Sequence, residues 1–209
     1  MYNFTVPMAL MDYVPVIFFA VTAVLLLRDL YNKMFKGAYA LLAAGSVNVF
    51  LAGFCKATWK LLYAANICDF VALEEMFMPV NSLGLLFIGL SLIGMIIWKR
   101  KSAALSAVPP VFASSMPFIM MMVVGLGGMC AGLSILSAKM KKGRFMILFI
   151  LSVVCAMVLG YMSSQDSTQS WVNWVEQSIN TVSQLCLMLG VIALHKNGLK
   201  NWSWEESKV

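Results

Sequence analysis

Charged residues are scarce in this sequence, and that scarcity excludes an ordinary soluble domain. Only 11% of the 209 residues are Asp, Glu, Lys or Arg, whereas 61% are hydrophobic and the mean hydropathy is +0.86. A soluble domain has about 25% charged and roughly 45–50% apolar residues. A soluble fold of this composition would leave a large apolar area in water. The sequence therefore predicts an integral membrane protein in contact with the lipid bilayer.

The sequence also lacks the residue patterns on which most catalytic and metal sites depend. Histidine occurs once, as His195, and the five cysteines show no Cys-x-x-Cys spacing. No serine-hydrolase elbow, zinc-protease helix or phosphate-binding loop is present. We predict no catalytic residue, no metal and no cofactor, and the balance is against an enzyme. A lipid-modifying enzyme with interfacial carboxylates stays open, on Asp69, Glu74, Glu75 or Asp166.

Long apolar runs fill almost the whole chain. A helix needs about 20 mostly apolar residues to cross the hydrocarbon core of a bilayer. Six runs come close to or exceed that length, at 8–27, 38–65, 76–98, 116–136, 145–163 and 171–194. The sequence thus predicts an all-α, polytopic transmembrane helical bundle with six spans, and seven spans stay open as the alternative.

Basic residues outnumber acidic ones, and their positions indicate membrane orientation. The formal net charge is +6, which in a soluble protein would suggest a nucleic-acid partner. Here Lys and Arg fall mostly at the ends of apolar runs, where they meet lipid headgroups, so no nucleic acid is expected. No Lys or Arg precedes Arg28, which follows the first run. This pattern predicts an outside N-terminus and a location in the plasma or inner membrane.

Matched residues in the two halves indicate an internal duplication. The basic turn at 33–37 recurs at 139–143. Other pairs keep a nearly constant separation along the chain: Val6-Pro7 and Val108-Pro109, Pro15 and Pro117, Ser46 and Ser152, Ser82 and Ser183, Gly89 and Gly190.

The duplication divides the chain into a domain plan. A first three-helix repeat covers 1–101, and an Ala-, Ser- and Pro-rich linker covers 102–115. A second three-helix repeat covers 116–198, and a polar tail covers 199–209.

Two signals disagree on how the repeats are oriented. Six spans in two directly joined three-helix units require the second unit to be inverted, a plan common in secondary transporters. The positive-inside rule instead places both basic turns on the same side, which needs an additional crossing between 101 and 139. Hydropathy favours the inverted arrangement, and we expect it.

Polar side chains inside apolar runs are costly in lipid and are therefore functional candidates. The first half holds Asn48, Lys56, Lys60, Asn81 and Ser82, which we predict to bind a substrate. Lys56 and Lys60 are four residues apart and share one helical face.

A structural alternative exists for each of these groups. The lysines can snorkel to the headgroups, paired with Asp69, Glu74 or Glu75, and the asparagines can join neighbouring helices. Gly128 and Gly132 form a Gly-x-x-x-Gly motif that predicts close helix packing, inside the bundle or in a homodimer.

Two functions remain open at this point. The first is a small transporter or channel-like protein for a small solute, an anion being one option because of the two lysines. The second is a non-transporting sensor, scaffold or accessory subunit that associates with a membrane partner protein.

Overall fold

Helices form all of the regular secondary structure that the computed structural model describes, which covers residues 4–97, 116–162 and 170–202. Six helical segments are long and apolar enough to cross a membrane, as the hydropathy pattern predicts: Val6–Leu30, Lys36–Ala64, Ala72–Ile97, Met116–Lys139, Gly143–Met162 and Trp171–Lys196. The prediction of a multi-pass helical membrane protein is confirmed in this form. The predicted linker at 102–115 lies outside the described residues.

The helices are numbered in chain order. Helices α1 and α2 meet at Asp12 and form the first span, and α4 and α5 meet at Met76 and form the third. Their bounds are α1 Val6–Met11, α2 Tyr13–Leu30, α3 Lys36–Ala64, α4 Ala72–Glu75, α5 Phe77–Ile97, α6 Met116–Lys139, α7 Met146–Met162 and α8 Ser170–Lys196.

The basic turn after α6 is closed by local hydrogen bonds. Lys141 adopts a left-handed backbone conformation with φ of 58°. The Lys142 N–H then donates to the Ser137 carbonyl at 3.0 Å, and the Ser137 hydroxyl donates to the Lys142 carbonyl at 2.7 Å. These bonds satisfy carbonyl groups that the helix end leaves free. A turn this short forces α7 to return antiparallel beside α6.

The spanning helices pack in a closed circuit. Each contacts the next along the chain, in the order α2, α3, α5, α6, α7, α8, and α8 returns to contact α2. The contacts between α3 and α5 and between α5 and α6 are the most extensive. Helix α7 is peripheral, with only Phe149 and Ser152 buried.

Helices α3 and α5 run antiparallel and approach closely through glycine. A Cβ built on Gly45 would lie 2.6 Å from the Gly84 carbonyl oxygen. Further along, the Lys56 ammonium lies over the Phe77 ring. Residue numbers thus rise on α3 as they fall on α5, as expected for neighbours joined by a connection at one end.

Helices α5 and α6 run parallel. Residue numbers rise together along both helices at three contacts: the Asn81 amide with the Met122 sulfur, the Leu85 backbone with Gly125, and Leu92 with Gly132. The helices meet backbone to backbone, since a Cβ on Gly89 would lie 2.5 Å from the Gly125 carbonyl oxygen. Small residues at a seam allow this approach.

This parallel seam corrects the expected inversion of the second half. Ile97 ends α5 and Met116 begins α6, so these residues lie at opposite ends of the bundle. Helices α2 and α8 are also parallel, because Asp29 and His195 meet near the ends of both. The turns at 33–37 and 139–143 consequently lie at the same end. Hydropathy detects the six described spans but not their direction, whereas the charge pattern indicated the arrangement found.

Charge separates between the two ends of the bundle. The end that we call the basic end carries the two basic turns and the end of α8, and Asp29 is its one acidic residue among those described. The opposite end, which we call the mixed-charge end, carries Asp12, Lys56, Lys60, Asp69, Glu74, Glu75 and Glu176. Most of the described lysines and arginines are at the basic end: Arg28, Lys33, Lys36, Lys139, Lys141, Lys142, Arg144, Lys196 and Lys200.

We predict that Gly125→Ala destabilises the bundle, because the new methyl group would lie 2.4 Å from the Leu85 and Leu86 backbone. Overpacking of this kind costs about 1–3 kcal/mol. Gly127→Ala is the matched control, since nothing lies within 4 Å of its Cβ position. Thermal unfolding in detergent, followed by loss of the monodisperse peak, should give a lower midpoint for Gly125→Ala only. Equal midpoints for both variants contradict the parallel seam.

Candidate solute site at the mixed-charge end

Lys60 is held inside the bundle by an ion pair with Asp12. The distance from Lys60 Nζ to Asp12 Oδ2 is 2.7 Å, and the two side chains are 15% and 8% exposed. Asp12 occupies the junction of α1 and α2, so the pair ties the first span to the end of α3. The expected loop carboxylates are thus not the partner of Lys60.

Lys56 lies one helical turn before Lys60 and has a different environment. Its ammonium lies 4.1 Å from the centre of the Phe77 ring, a cation–π contact between α3 and α5. The negative charges of Asp12, Glu74 and Glu176 attract it, and the Lys60 charge repels it. None of the described carboxylates lies within ion-pair distance of it. Lys56 is therefore attracted by several carboxylates but forms an ion pair with none of those described.

Helix α8 presents unpaired polar atoms to the bundle interior. Glu176 Oε1, Gln177 Nε2 and Gln184 Oε1 are each buried and have no hydrogen-bond partner among the described residues. The second carboxylate oxygen of Asp12 is in the same condition. A buried polar group left unsatisfied costs about 1–3 kcal/mol. Three of these residues, Asp12, Glu176 and Gln177, lie toward the mixed-charge end, and Gln184 lies about two turns deeper on α8. A bound water or polar solute is one explanation for such atoms.

The α8 residues are candidates that the search for charges within the first half did not identify. Asn173, Glu176, Gln177, Asn180 and Gln184 recur at intervals of three to four residues. This spacing places polar groups along one side of an otherwise apolar helix. That periodicity is the signal by which the sequence could have indicated them.

The other three predicted binding residues lie apart from the ion pair of Lys60 with Asp12. Ser82 donates to the carbonyl of Met78 in its own helix. Asn81 is buried at the α5–α6 seam, where its amide donates to the Met122 sulfur at 3.6 Å. Asn48 lies two turns deeper on α3 than Lys56, beside Gly84. The structure brings Lys56 and Lys60 together with Asp12 and leaves these three outside that cluster.

None of the predicted loop carboxylates forms an ion pair with Lys56 or Lys60 in the described part of the chain. Asp69 accepts a hydrogen bond from the Trp59 indole N–H at 2.9 Å, which fastens the loop after α3 to that helix. Glu74 is half-buried and acts electrostatically on Lys56, whereas Glu75 is exposed.

Gly128 and Gly132 pack inside the chain. A Cβ on Gly128 would lie 3.0 Å from the Ile93 side chain, and one on Gly132 would lie 2.9 Å from the Leu92 Cβ. The Gly-x-x-x-Gly surface therefore faces α5 of the same molecule.

A second polar cluster lies at the basic end. Asp29 is fully buried, and its Oδ2 lies 2.7 Å from His195 Nδ1. The Arg28 guanidinium lies 3.4 Å from the other ring nitrogen of His195. These contacts join α2 to α8. Across the described ranges, no group of three His, Cys, Asp or Glu residues is placed to hold a metal ion.

No protein family model, curated protein or solved structure matches this chain. What the fold establishes is the class: a multi-pass helical membrane protein with six apolar helices in its described part.

We predict that Asp12→Asn lowers the thermal midpoint, because it leaves the Lys60 ammonium inside the bundle without its carboxylate. Removing one partner of a buried pair costs about 3–5 kcal/mol. Adding Lys60→Gln to Asp12→Asn should recover part of the loss, since no unpaired cation then remains. Thermal unfolding of the two variants in detergent checks this. Glu75→Gln, an exposed change at the same end, is the control and should leave the midpoint unchanged. A double variant no more stable than Asp12→Asn argues against the pair.

Proposed function

We propose that the protein is a membrane transporter for a small polar solute, with its binding site among α2, α3 and α8 at the mixed-charge end. The observation that carries the proposal is the set of buried polar atoms without a partner on α8 and on Asp12, together with Lys56, which forms no ion pair with a described carboxylate. Polar and ionisable groups inside a membrane bundle are expensive and mark solute pathways. A purely structural role would leave these buried atoms unsatisfied, at a cost of about 1–3 kcal/mol each.

The charges at the site do not favour a simple anion. Lys60 is neutralised by Asp12, and the charge of Lys56 is opposed by the negative charges of Glu74 and Glu176. A lone anion would meet more carboxylates than lysines. We therefore set aside the anion preference that the two lysines suggested.

We further propose that the halves are parallel three-helix repeats related by an axis along the membrane normal, an arrangement known among transporters. The circuit of contacts supports this. The last helix of the first half, α5, packs on the first helix of the second half, α6, and the last helix of the second half, α8, packs in the same way on α2. Both seams join parallel helices. The buried serines Ser46 and Ser82, like Ser152 and Ser183, occupy packed faces.

We propose that the basic end faces the cytoplasm of a plasma or inner membrane. The positive-inside rule supports this orientation, because most described lysines and arginines are at that end. The N-terminus and the solute site then face the outside.

The transport proposal predicts uptake into proteoliposomes from a panel of labelled solutes: glucose, glycerol, alanine, lactate and putrescine. At least one should enter faster than into protein-free vesicles. Glu176→Gln combined with Lys56→Met should reduce that uptake at least about tenfold, because the loss of hydrogen bonds to charged groups costs about 1.5–3 kcal/mol each. Glu75→Gln is the control and should retain uptake. Uptake of no probe, or uptake unaffected by the double variant, would contradict the transport proposal.

A second candidate function, an accessory subunit, is favoured by the outer face of α7. Ile147, Met157 and Tyr161 are 68%, 66% and 69% exposed, and the span has the smallest buried share of the six. Lipid covers such a face in a transporter, whereas a partner protein covers it in an accessory subunit. If the protein is an accessory subunit, Met157→Trp should release a bound partner in mild detergent. If it is a transporter, the same change should leave solute uptake unchanged.

A further inference from the structure

Basic residues from two distant parts of the chain meet at the basic end, where α2 packs beside α8. The Arg28 guanidinium of α2 lies 3.4 Å from the His195 ring of α8. The Lys33 ammonium, in the turn after α2, donates to the Trp202 carbonyl in the segment after α8. Lys196 follows His195 directly and is exposed. The contacts between α2 and α8 thus bring cations of both halves of the chain to one surface.

The acidic residue described at the basic end lies behind this surface. The Asp29 side chain is fully buried, and its Oδ2 lies 2.7 Å from His195 Nδ1. Arg28 Nε lies 3.8 Å from Asp29 Oδ1, yet the Arg28 side chain is 56% exposed. A guanidinium carries more N–H donors than these contacts use. The outer surface of the α2–α8 seam is therefore positively charged, with Arg28, Lys196 and Lys200 exposed.

Exposed apolar side chains lead from both helix ends toward the middle of the membrane. On α2, one line of exposed residues spaced three or four apart ends at the guanidinium: Ile17, Val21, Val24 and Arg28. On α8, a second line of exposed residues spaced seven apart ends at the ammonium: Val182, Leu189 and Lys196. Residues at these spacings share one face of a helix. Because Arg28 contacts His195, the residue before Lys196, the two lines end beside the same contact.

We propose that the α2–α8 seam at the basic end binds an anionic phospholipid. The lipid phosphate pairs with Arg28 and Lys196, and the acyl chains lie along the two apolar lines. Arginine binds phosphate strongly, because two of its N–H groups can donate to the same group. Basic pockets between transmembrane helices bind anionic headgroups in the same way. This inference concerns a lipid and does not depend on transport of a solute.

Other occupants satisfy only part of this surface. Phosphatidylcholine carries a quaternary ammonium beside its phosphate, and the excess of positive charge at the seam repels that group. A free phosphate ion pairs with the cations but covers neither apolar line. An anionic phospholipid matches both the charge at headgroup level and the apolar surface that leads from it.

The test measures lipid-induced thermal stabilisation of the full-length protein, purified in an uncharged detergent. Three additives are compared at equal concentration: dioleoyl phosphatidylglycerol, dioleoyl phosphatidylcholine and the soluble headgroup analogue glycerol phosphate. A ligand bound to the folded state raises its unfolding midpoint. Phosphatidylglycerol should therefore raise the midpoint by several degrees more than phosphatidylcholine, which has the same acyl chains. Glycerol phosphate should leave it unchanged.

Site variants assign the effect to the seam. Arg28→Gln combined with Lys196→Gln should reduce the affinity for phosphatidylglycerol at least about tenfold, the loss expected for one charged hydrogen bond. Arg28→Lys combined with Lys196→Arg keeps both charges and should keep part of the affinity, which separates loss of binding from loss of folding.

The matched control is Lys141→Gln combined with Lys142→Gln. It removes the same two charges from the same end of the bundle, but in the turn between α6 and α7. Because the proposed site lies at the α2–α8 seam, this variant should bind phosphatidylglycerol as the wild type does.

Four results would overturn the inference. Equal stabilisation by both phospholipids shows that the headgroup charge is not recognised. Stabilisation by glycerol phosphate as large as that by phosphatidylglycerol shows a site for a free phosphate group. Equal losses in the seam variant and in the matched control show a diffuse effect of the whole basic end. Full affinity in the seam variant shows that Arg28 and Lys196 do not hold the lipid.

Discussion

The parallel contact of α5 with α6 is the constraint on which the rest of the structure depends. It exists because Gly89 and Gly125 let the two backbones touch, at a point where any larger side chain would hold the helices apart. Since α3 is antiparallel to α5 and α7 is antiparallel to α6, this one seam fixes the direction of every other span. The second half of the chain therefore points the same way as the first, and α8 returns to α2 with its end beside Asp29.

The direction of the helices in turn decides where the charges meet. The basic turns gather at one end, where headgroups and water can solvate them. At the other end, the α1–α2 junction, α3 and α8 carry charged groups: Asp12, Lys56 with Lys60, and Glu176. Had the second half been inverted, Glu176 would lie at the end opposite Lys56. The candidate site therefore depends on the seam although no seam residue belongs to it.

The sequence was sufficient for the features set by local composition. Hydropathy alone identifies the six spans of the described residues, because the cost of placing an unpaired backbone or a charge in lipid acts on every stretch of chain separately. Lys56 and Lys60 were recognisable for the same reason. The Asp12 partner of Lys60 was not, since it lies far away in sequence and depends on the register of α2 against α3. Glu176 belongs to this second group, although the polar periodicity of α8 was visible. Hydropathy and charge gave conflicting orientations for the second half, and only the contacts between α5 and α6 decided between them.

The sidedness of the two basic turns is the sharpest test of the parallel arrangement. Single cysteines introduced in the turns at 33–37 and 139–143, in a chain freed of its native cysteines, can be labelled in intact cells with a membrane-impermeant maleimide. A parallel arrangement with the basic end in the cytoplasm predicts that both turns resist the reagent in intact cells and react after the membrane is opened. Labelling of one turn but not the other in intact cells would place them on opposite sides. That result would contradict the parallel seam and separate Glu176 from Lys56.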